Sequence, residues 1–172
     1  MNVVYLSSEV APFAKTGGLA DMAGAIPKHV QKLGVEIIVL TPLYRGVKES
    51  AYPLVKTDIQ FEVRIGDKFI SGFVYKGYLP DSQVSVYFLD NEQYYGRDGL
   101  YNYPGTTKDF EDNCERFIFF ALGALEVIEK LRVHPDIVHC NDWQTGLVPV
   151  YLKTRYAGRS FFKNTQSVMT IH

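Results

Sequence analysis

The first forty residues contain the pattern that most constrains the fold of this chain. Residues 3–7 read as a short buried strand, and residues 35–40 read as a second one. Between them a loop with Gly17 and Gly18 leads into residues 19–33, whose apolar side chains recur at helical spacing. Two such strands joined by a helix run parallel, with a right-handed crossover. This unit predicts an α/β fold with a Rossmann-like parallel-core sheet, and Gly34 is the expected end of the helix.

The middle of the chain has a different pattern. Residues 57–65, 69–78 and 84–89 are β-rich and are separated by turn residues, which predicts mostly antiparallel strands that elaborate the sheet rim. Residues 90–108 are rich in Tyr, Gly, Asn and Asp and read as a long loop. Residues 109–131 carry a wide apolar stripe, which predicts a long helix.

The last part returns to the α/β pattern. Residues 136–140 read as a buried strand, residues 142–156 as a helix, and residues 167–172 as a final strand. The expected architecture is therefore one domain over residues 1–172, with a parallel core and a β-rich antiparallel elaboration.

Composition narrows the class of partner. The net charge of -1 and the absence of a long basic run argue against nucleic acid or an anionic membrane surface. The start has no basic region ahead of its short apolar run, so we expect a cytoplasmic protein without a signal peptide. Cys114, placed on the apolar face of the predicted helix, and Cys140 are expected to be free thiols with no zinc site.

Polar residues cluster where a parallel sheet binds its ligands, at the carboxyl ends of strands. Gly17 and Gly18 precede a helix whose N-terminal N–H groups suit a phosphate, and Lys15 adds a positive charge. From spacing alone, a plain tight turn is as good an interpretation. Asp142 follows a strand and is well placed as a helix N-cap. His172, at a strand end, is by itself an ordinary structural hydrogen-bonding residue.

Several segments then resemble one family, in the right order and over essentially the whole chain. Segment 8–21 (SEVAPFAKTGGLAD) resembles the opening signature of bacterial glycogen synthases and plant starch synthases. Segment 139–146 (HCNDWQTG) is similar to the family's His-x-His-Asp-Trp motif, with Asn141 in place of the second His. Segment 168–172 (VMTIH) is similar to its Thr-x-His-Asn stretch, and segment 94–99 (YYGRDG) to its Tyr-x-Arg-x-Gly loop.

The resemblance implies a set of roles. Lys15, Gly17 and Gly18 would lie against the diphosphate of ADP-glucose, and Tyr95 would lie near the substrate cleft. Asp142 would lie in the catalytic cleft, and His172 would orient the transferred glucose. Asn113 and Arg116 resemble the family's Asn-x-x-Arg-Phe helix, and for these two we expect a structural hydrogen-bonding role.

The implied protein is a GT-B glucosyltransferase built from two Rossmann-like domains. Residues 1–172 would form an incomplete N-terminal domain, and the nucleotide-binding C-terminal domain would lie outside them. The implied reaction is retaining transfer of glucose from ADP-glucose to the non-reducing end of an α-1,4-glucan, with no cofactor and no metal. We expect the isolated chain to be inactive.

Two other interpretations stay open at this point. One is a stand-alone glucan- or nucleotide-binding module. The other is a related GT-B transferase that uses a UDP-sugar, because the base-binding pocket lies outside these residues. A plastid enzyme without its transit peptide would look much like a bacterial cytoplasmic one, and the oligomeric state is left open.

Overall fold

The computed structural model describes residues 1–172 and places seven strands in a single sheet. The strands are β1 (Asn2–Leu6), β2 (Glu36–Pro42), β3 (Val55–Ile65), β4 (Lys68–Tyr78), β5 (Ser85–Asp90), β6 (Ile137–Asn141) and β7 (Gln166–Thr170). Their spatial order is β3-β4-β5-β2-β1-β6-β7. Strands β5, β2, β1, β6 and β7 run parallel, and β3 and β4 pair antiparallel with their neighbours. The predicted parallel core and its antiparallel elaboration are both confirmed.

Five helices accompany the sheet. They are α1 (Gly18–Lys32), α2 (Arg45–Lys48), α3 (Glu92–Tyr95), α4 (Asn113–Lys130) and α5 (Leu147–Lys153). The long helix α4 begins four residues later than predicted, because the preceding segment pairs with the long loop. There Asn102 forms a β-bridge with Asp109, and the Phe110 N–H donates to the Tyr101 carbonyl.

The helix predicted over residues 142–156 is wrong in extent. A 3₁₀ turn covers Trp143–Thr145, and the α-helix itself covers only Leu147–Lys153. Asp142 itself is not helical, with a φ of 58° and a ψ of 179°, and the 3₁₀ turn separates it from the α-helix.

Helix α1 follows the sequence prediction closely. Gly34 ends it with a φ of 79°, in the left-handed region that favours glycine. Gly24 is required for a different reason. A Cβ atom there would lie 2.6 Å from the Ala11 carbonyl oxygen, which is too close for any side chain. The helix therefore packs directly against the backbone of the loop that precedes it.

The core lies on both faces of the sheet. Phe88 and Leu89 are neighbours in β5 and so point to opposite faces. The Phe88 ring packs edge-on against Phe13 of the loop before α1, at a centroid distance of 5.0 Å. Leu89 lies beside Gly123 of α4, where a Cβ would be 3.1 Å from it. Loop 7–17 and helix α4 therefore cover opposite sides of β5.

Helix α4 also anchors the long loop through a fully buried Arg116. The guanidinium donates to the carbonyls of Tyr94 and Leu100 and to the side-chain oxygen of Asn113, at 2.7 to 2.9 Å. The structural role expected for Asn113 and Arg116 is confirmed. Cys114, two residues before Arg116, is exposed, so its predicted place on the apolar face is wrong. None of the helices is long and apolar enough to cross a membrane.

Candidate functional site

The strand order creates a crevice beside β1, the middle one of the five parallel strands. The chain leaves β1 through helix α1 and enters β2 on one side of β1. On the other side β1 pairs with β6, so the connections leave β1 in opposite directions. Such a switch point, at the carboxyl ends of the strands, is the usual ligand site of open α/β sheets. A depression of about 430 Å³ lies there. It is lined by Glu9, Gly17, Gly18, Leu19, Met22, Asp142, Gln144 and His172.

The depression brings together residues that are far apart in the sequence. Gly17 and Gly18 reach it from the loop after β1, Asp142 from the end of β6, and His172 from the segment after β7. Of the predicted site residues, only Lys15 and Tyr95 are not part of its lining.

The two glycines leave open space on the depression side. A Cβ atom at Gly17 or Gly18 would meet nothing within 4 Å, and neither residue has a positive φ. Nothing in the fold of this chain requires glycine at either position. The N–H groups of Gly18 and Leu19, at the start of α1, have no partner within the chain. Free N–H groups at the positive end of a helix suit an anionic ligand.

A buried carboxylate organises this loop, and the sequence analysis did not single it out. Glu9 is 3% exposed, and its side chain accepts from the Thr16 N–H at 2.5 Å and the Thr16 hydroxyl at 2.6 Å. The Gly17 N–H also donates to it, at 3.3 Å. These two N–H groups therefore point at the protein's own anion. An acidic residue just after a buried strand and before a glycine pair is a signal that could have identified it.

A tyrosine extends the Glu9 network. The hydroxyl of Tyr101 donates to Glu9 Oε1 at 2.8 Å. A tyrosine hydroxyl has one hydrogen, so the Ser8 hydroxyl must donate to it across the 2.7 Å contact. Burial and the neighbouring Glu9 carboxylate raise the pKa of Tyr101 well above its usual range. The long loop and the glycine loop are thereby joined through one buried carboxylate.

Lys15 lies on the same loop, two residues before Gly17, and its charge is already engaged. Its ammonium contacts both carboxylate oxygens of Asp21, at 2.7 and 2.8 Å. Both side chains are more than half exposed. An exposed ion pair of this kind contributes only about 0–1 kcal/mol, so a ligand can recruit the ammonium at little cost.

Asp142 does not act as the predicted N-cap. Its side chain makes no capping hydrogen bond, and Oδ1 instead accepts from the backbone N–H of His172 at 2.7 Å. The φ of 58° with an extended ψ of 179° is a conformation that only glycine adopts readily. Strained backbone of this type costs about 1–3 kcal/mol and is typical of functional sites. The strain turns the carboxylate toward the segment after β7.

The imidazole of His172 is held by Asn141, a fully buried residue to which the sequence analysis assigned no role. Its Nε2 lies 3.1 Å from Asn141 Oδ1, which also accepts from the Tyr5 hydroxyl at 3.0 Å. Burial raises the pKa of Tyr5 to about 12, partly offset by this bond. Nearby, His139 Nε2 contacts the Thr170 hydroxyl at 2.8 Å. Burial, with the charge of His172, lowers the pKa of His139.

Tyr95 is the predicted site residue that the structure places elsewhere. It is fully buried, and its hydroxyl donates to the Arg116 carbonyl at 3.0 Å. The short helix α3 turns the ring into the core, where it packs against Tyr44. It offers no face to a substrate in this structure.

Two carboxylates, Glu9 and Asp142, line the depression, and no lysine or arginine does. The chain contains no cluster of three or more His, Cys, Asp or Glu side chains arranged to hold a metal ion. The site can therefore accept hydrogen bonds from hydroxyl groups and donate N–H groups to an anion at the start of α1. Its own charge does not balance a diphosphate.

An open parallel sheet with a polar crevice at its switch point defines a Rossmann-like nucleotide- or sugar-binding domain. A family model for the starch synthase catalytic domain matches residues 2–172. The chain belongs to this family of glycosyltransferases.

Individual relatives agree with the family assignment. The chain is 45% identical to the glycogen synthase of Syntrophotalea carbinolica and 40% identical to that of Thermotoga maritima. All of the chain is matched in both cases, but it spans only 35% of each relative.

A solved structure agrees as well. The catalytic domain of starch synthase IV from Arabidopsis thaliana, bound to ADP and acarbose, superposes with a TM-score of 0.85 at 27% identity. The match covers 99% of this chain and 33% of that one. The fold is accordingly that of part of a GT-B catalytic domain.

Proposed function

We propose that residues 1–172 form the N-terminal, incomplete Rossmann-like domain of a retaining glucosyltransferase. The full enzyme transfers glucose from ADP-glucose to the non-reducing end of an α-1,4-glucan, in glycogen or starch synthesis. The observation that carries the proposal is the convergence of Gly17, Gly18, Asp142 and His172 on one depression at the switch point. Family membership and the ADP and acarbose bound to the plant relative support the same substrates.

The donor phosphates would lie at the start of α1. The N–H groups of Gly18 and Leu19 are free there, and the open space at the two glycines lets a phosphate approach the backbone. Lys15 would leave Asp21 for the diphosphate. Negative charge grows on the leaving diphosphate as the bond breaks, so these groups act most strongly in the transition state.

Charge balance supports a second domain. Glu9 and Asp142 place two carboxylates at the depression, and the ammonium of Lys15, on the same loop, is paired with Asp21. A diphosphate in this position needs further cations. We assign these to a C-terminal nucleotide-binding domain that faces the depression, and on this basis the isolated chain has no activity. The enzyme would act in the cytoplasm, or in a plastid if the source is a plant.

The test is turnover in a chimera. In it, residues 1–172 replace the matching 35% of the S. carbinolica glycogen synthase, which is 45% identical. We expect this chimera to transfer glucose from ADP-glucose to glycogen, and the 172-residue chain alone to transfer none. The unmodified relative is the positive control. UDP-glucose is the competing donor, and a preference for it would overturn the ADP-glucose assignment.

Two results would contradict the proposal directly. A folded chimera without transfer would refute the catalytic role of the depression. Turnover by the chain alone would refute the idea that half of the site lies elsewhere. A chimera with Lys15→Ala separates loop chemistry from folding, because the exposed Lys15 contributes little to stability.

A further inference from the structure

The buried amide of Asn141 has an orientation that chemistry determines. Its Nδ2 lies 2.9 Å from the Leu6 carbonyl oxygen and 3.5 Å from that of His139. Carbonyl oxygens only accept hydrogen bonds, so the NH₂ group must face them. Oδ1 consequently faces the other way, toward Tyr5 and His172.

Both groups that meet Oδ1 must donate to it. The Tyr5 hydroxyl is 3.0 Å away and supplies its hydrogen, and His172 Nε2 is 3.1 Å away. Since an amide oxygen only accepts, Nε2 has to carry a hydrogen. A neutral His172 is then the Nε2–H tautomer, and Nδ1 keeps its lone pair.

A second contact holds the same residue. The His172 N–H donates to Asp142 Oδ1 at 2.7 Å, so backbone and ring are each held by one residue from the end of β6. His172 Nδ1 has no hydrogen-bond partner within the chain, and His172 lines the depression.

We propose that Asn141 is a positioning residue that places the proton of His172 on Nε2. Nδ1 is thereby kept as a hydrogen-bond acceptor for a ligand hydroxyl in the depression. The identity of that ligand as a sugar rests on the function proposed above. The tautomer itself follows from the contacts within this chain.

The direct test is ¹⁵N NMR of the histidine side chains in the 172-residue protein, at a pH where His172 is neutral. The expected spectrum shows a pyrrole-like Nε2 and a pyridine-like Nδ1 for His172. The difference between the two ¹⁵N shifts should be larger than in a short histidine peptide, where the two tautomers interconvert. A pyrrole-like Nδ1, or the averaged shifts of the peptide, would overturn the proposal without any variant.

Variants then assign the effect to Asn141. In Asn141→Ala we expect the shifts of His172 to move to those of the peptide. Asn141→Asp is the second variant, because it keeps an acceptor beside His172. Like Asn141→Ala it removes the donor to the Leu6 carbonyl, so the folded state of both variants is checked by circular dichroism. A carboxylate beside His172 should raise its pKa, and an unchanged titration would contradict the contact.

Tyr5→Phe is the matched control. It removes the other donor to Oδ1 and leaves the acceptor in place, so the tautomer of His172 should be unchanged. A tautomer that is lost in Tyr5→Phe would point to general loosening of the core, against a specific role of Asn141. None of these measurements needs ADP-glucose or turnover. The proposed function could therefore be refuted while the tautomer assignment holds, and the tautomer assignment could be refuted while the proposed function holds.

Discussion

Glu9 holds Thr16 by two hydrogen bonds, one from its backbone N–H at 2.5 Å and one from its hydroxyl at 2.6 Å. The loop that resembles a phosphate site thus contains its own anion. Only the N–H groups further along, at the start of α1, are left for a ligand. The carboxylate and the loop should therefore depend on each other.

Glu9→Gln should lower the free energy of unfolding by about 2 kcal/mol, because a buried, charge-assisted set of bonds is lost. Hydrogen exchange at the Thr16 and Gly17 amides should speed up selectively. Exposed Glu36→Gln is the control and should change stability by less than about 0.5 kcal/mol. Unchanged protection of the two amides would show that Glu9 does not hold the loop.

The glycines of α1 and its loop should separate into two classes. Gly17→Ala and Gly18→Ala should change stability by less than about 1 kcal/mol, since a Cβ there meets open space. Gly24→Ala should cost about 1–3 kcal/mol, because its Cβ would lie 2.6 Å from the Ala11 carbonyl. Chemical denaturation measures all three.

The same two loop variants should impair the chimera. A methyl group in the open space should raise KM for ADP-glucose about tenfold, equivalent to about 1.4 kcal/mol of lost binding. Wild-type KM in both Gly17→Ala and Gly18→Ala would show that no ligand uses this space.

Asp142→Gly should stabilise the chain and impair the chimera. Glycine relieves about 1–3 kcal/mol of strain at φ 58°, while its larger entropy loss and the lost hydrogen bond from the His172 N–H offset part of this, so the net gain should be under about 1 kcal/mol. Asp81→Gly is the control for a positive φ, with a φ of 56° in an exposed turn away from the depression. Both variants should gain stability by thermal denaturation, and only Asp142→Gly should lose glucosyl transfer. Equal activities would remove Asp142 from the site.

His139 should make the fold sensitive to mild acid. Burial lowers its pKa below the usual 6.5, so the unfolded chain binds the proton more readily than the folded chain. This contribution is fully present above pH 6.5 and is lost as the pH falls from there toward the folded-state pKa. The urea midpoint should thus fall between about pH 7.5 and about pH 5.5, and fall less in His139→Gln. If the urea midpoint fell equally with pH in the wild-type chain and in His139→Gln, His139 would not be the source of the acid sensitivity.

Tyr95→Phe tests the residue that sequence and structure place differently. The structure predicts a loss of about 1 kcal/mol in stability, from the bond to the Arg116 carbonyl, and an unchanged KM for both substrates in the chimera. A raised KM with unchanged stability would return Tyr95 to the substrate cleft.

Much of the fold could be predicted from sequence because its signals are local. The apolar spacing of residues 19–33 produced α1 nearly to the residue, and Gly34 ended it as expected for a left-handed position. The hairpin strands β3 and β4 followed from alternation and turn residues. The predicted extent of the helix after Asp142 was wrong: Asp142 is held in a non-helical conformation by contacts with Thr170 and His172, distant in sequence, and a 3₁₀ turn follows it.

The candidate site divides in the same way. The sequence determined which residue types stand after each strand, and the resemblance of several ordered motifs to one family, beyond their spacing alone, pointed to Gly17, Gly18, Asp142 and His172. Only the tertiary structure decided which of them meet, that Tyr95 turns inward, and that Glu9 and Asn141 hold the loop and the imidazole. The contacts of Tyr95 and Asn141 join elements that are far apart along the chain, α3 with α4 and the end of β6 with the segment after β7, and no local pattern encodes them. Glu9 and Thr16 are only seven residues apart, and there the fold of the loop decides the contact.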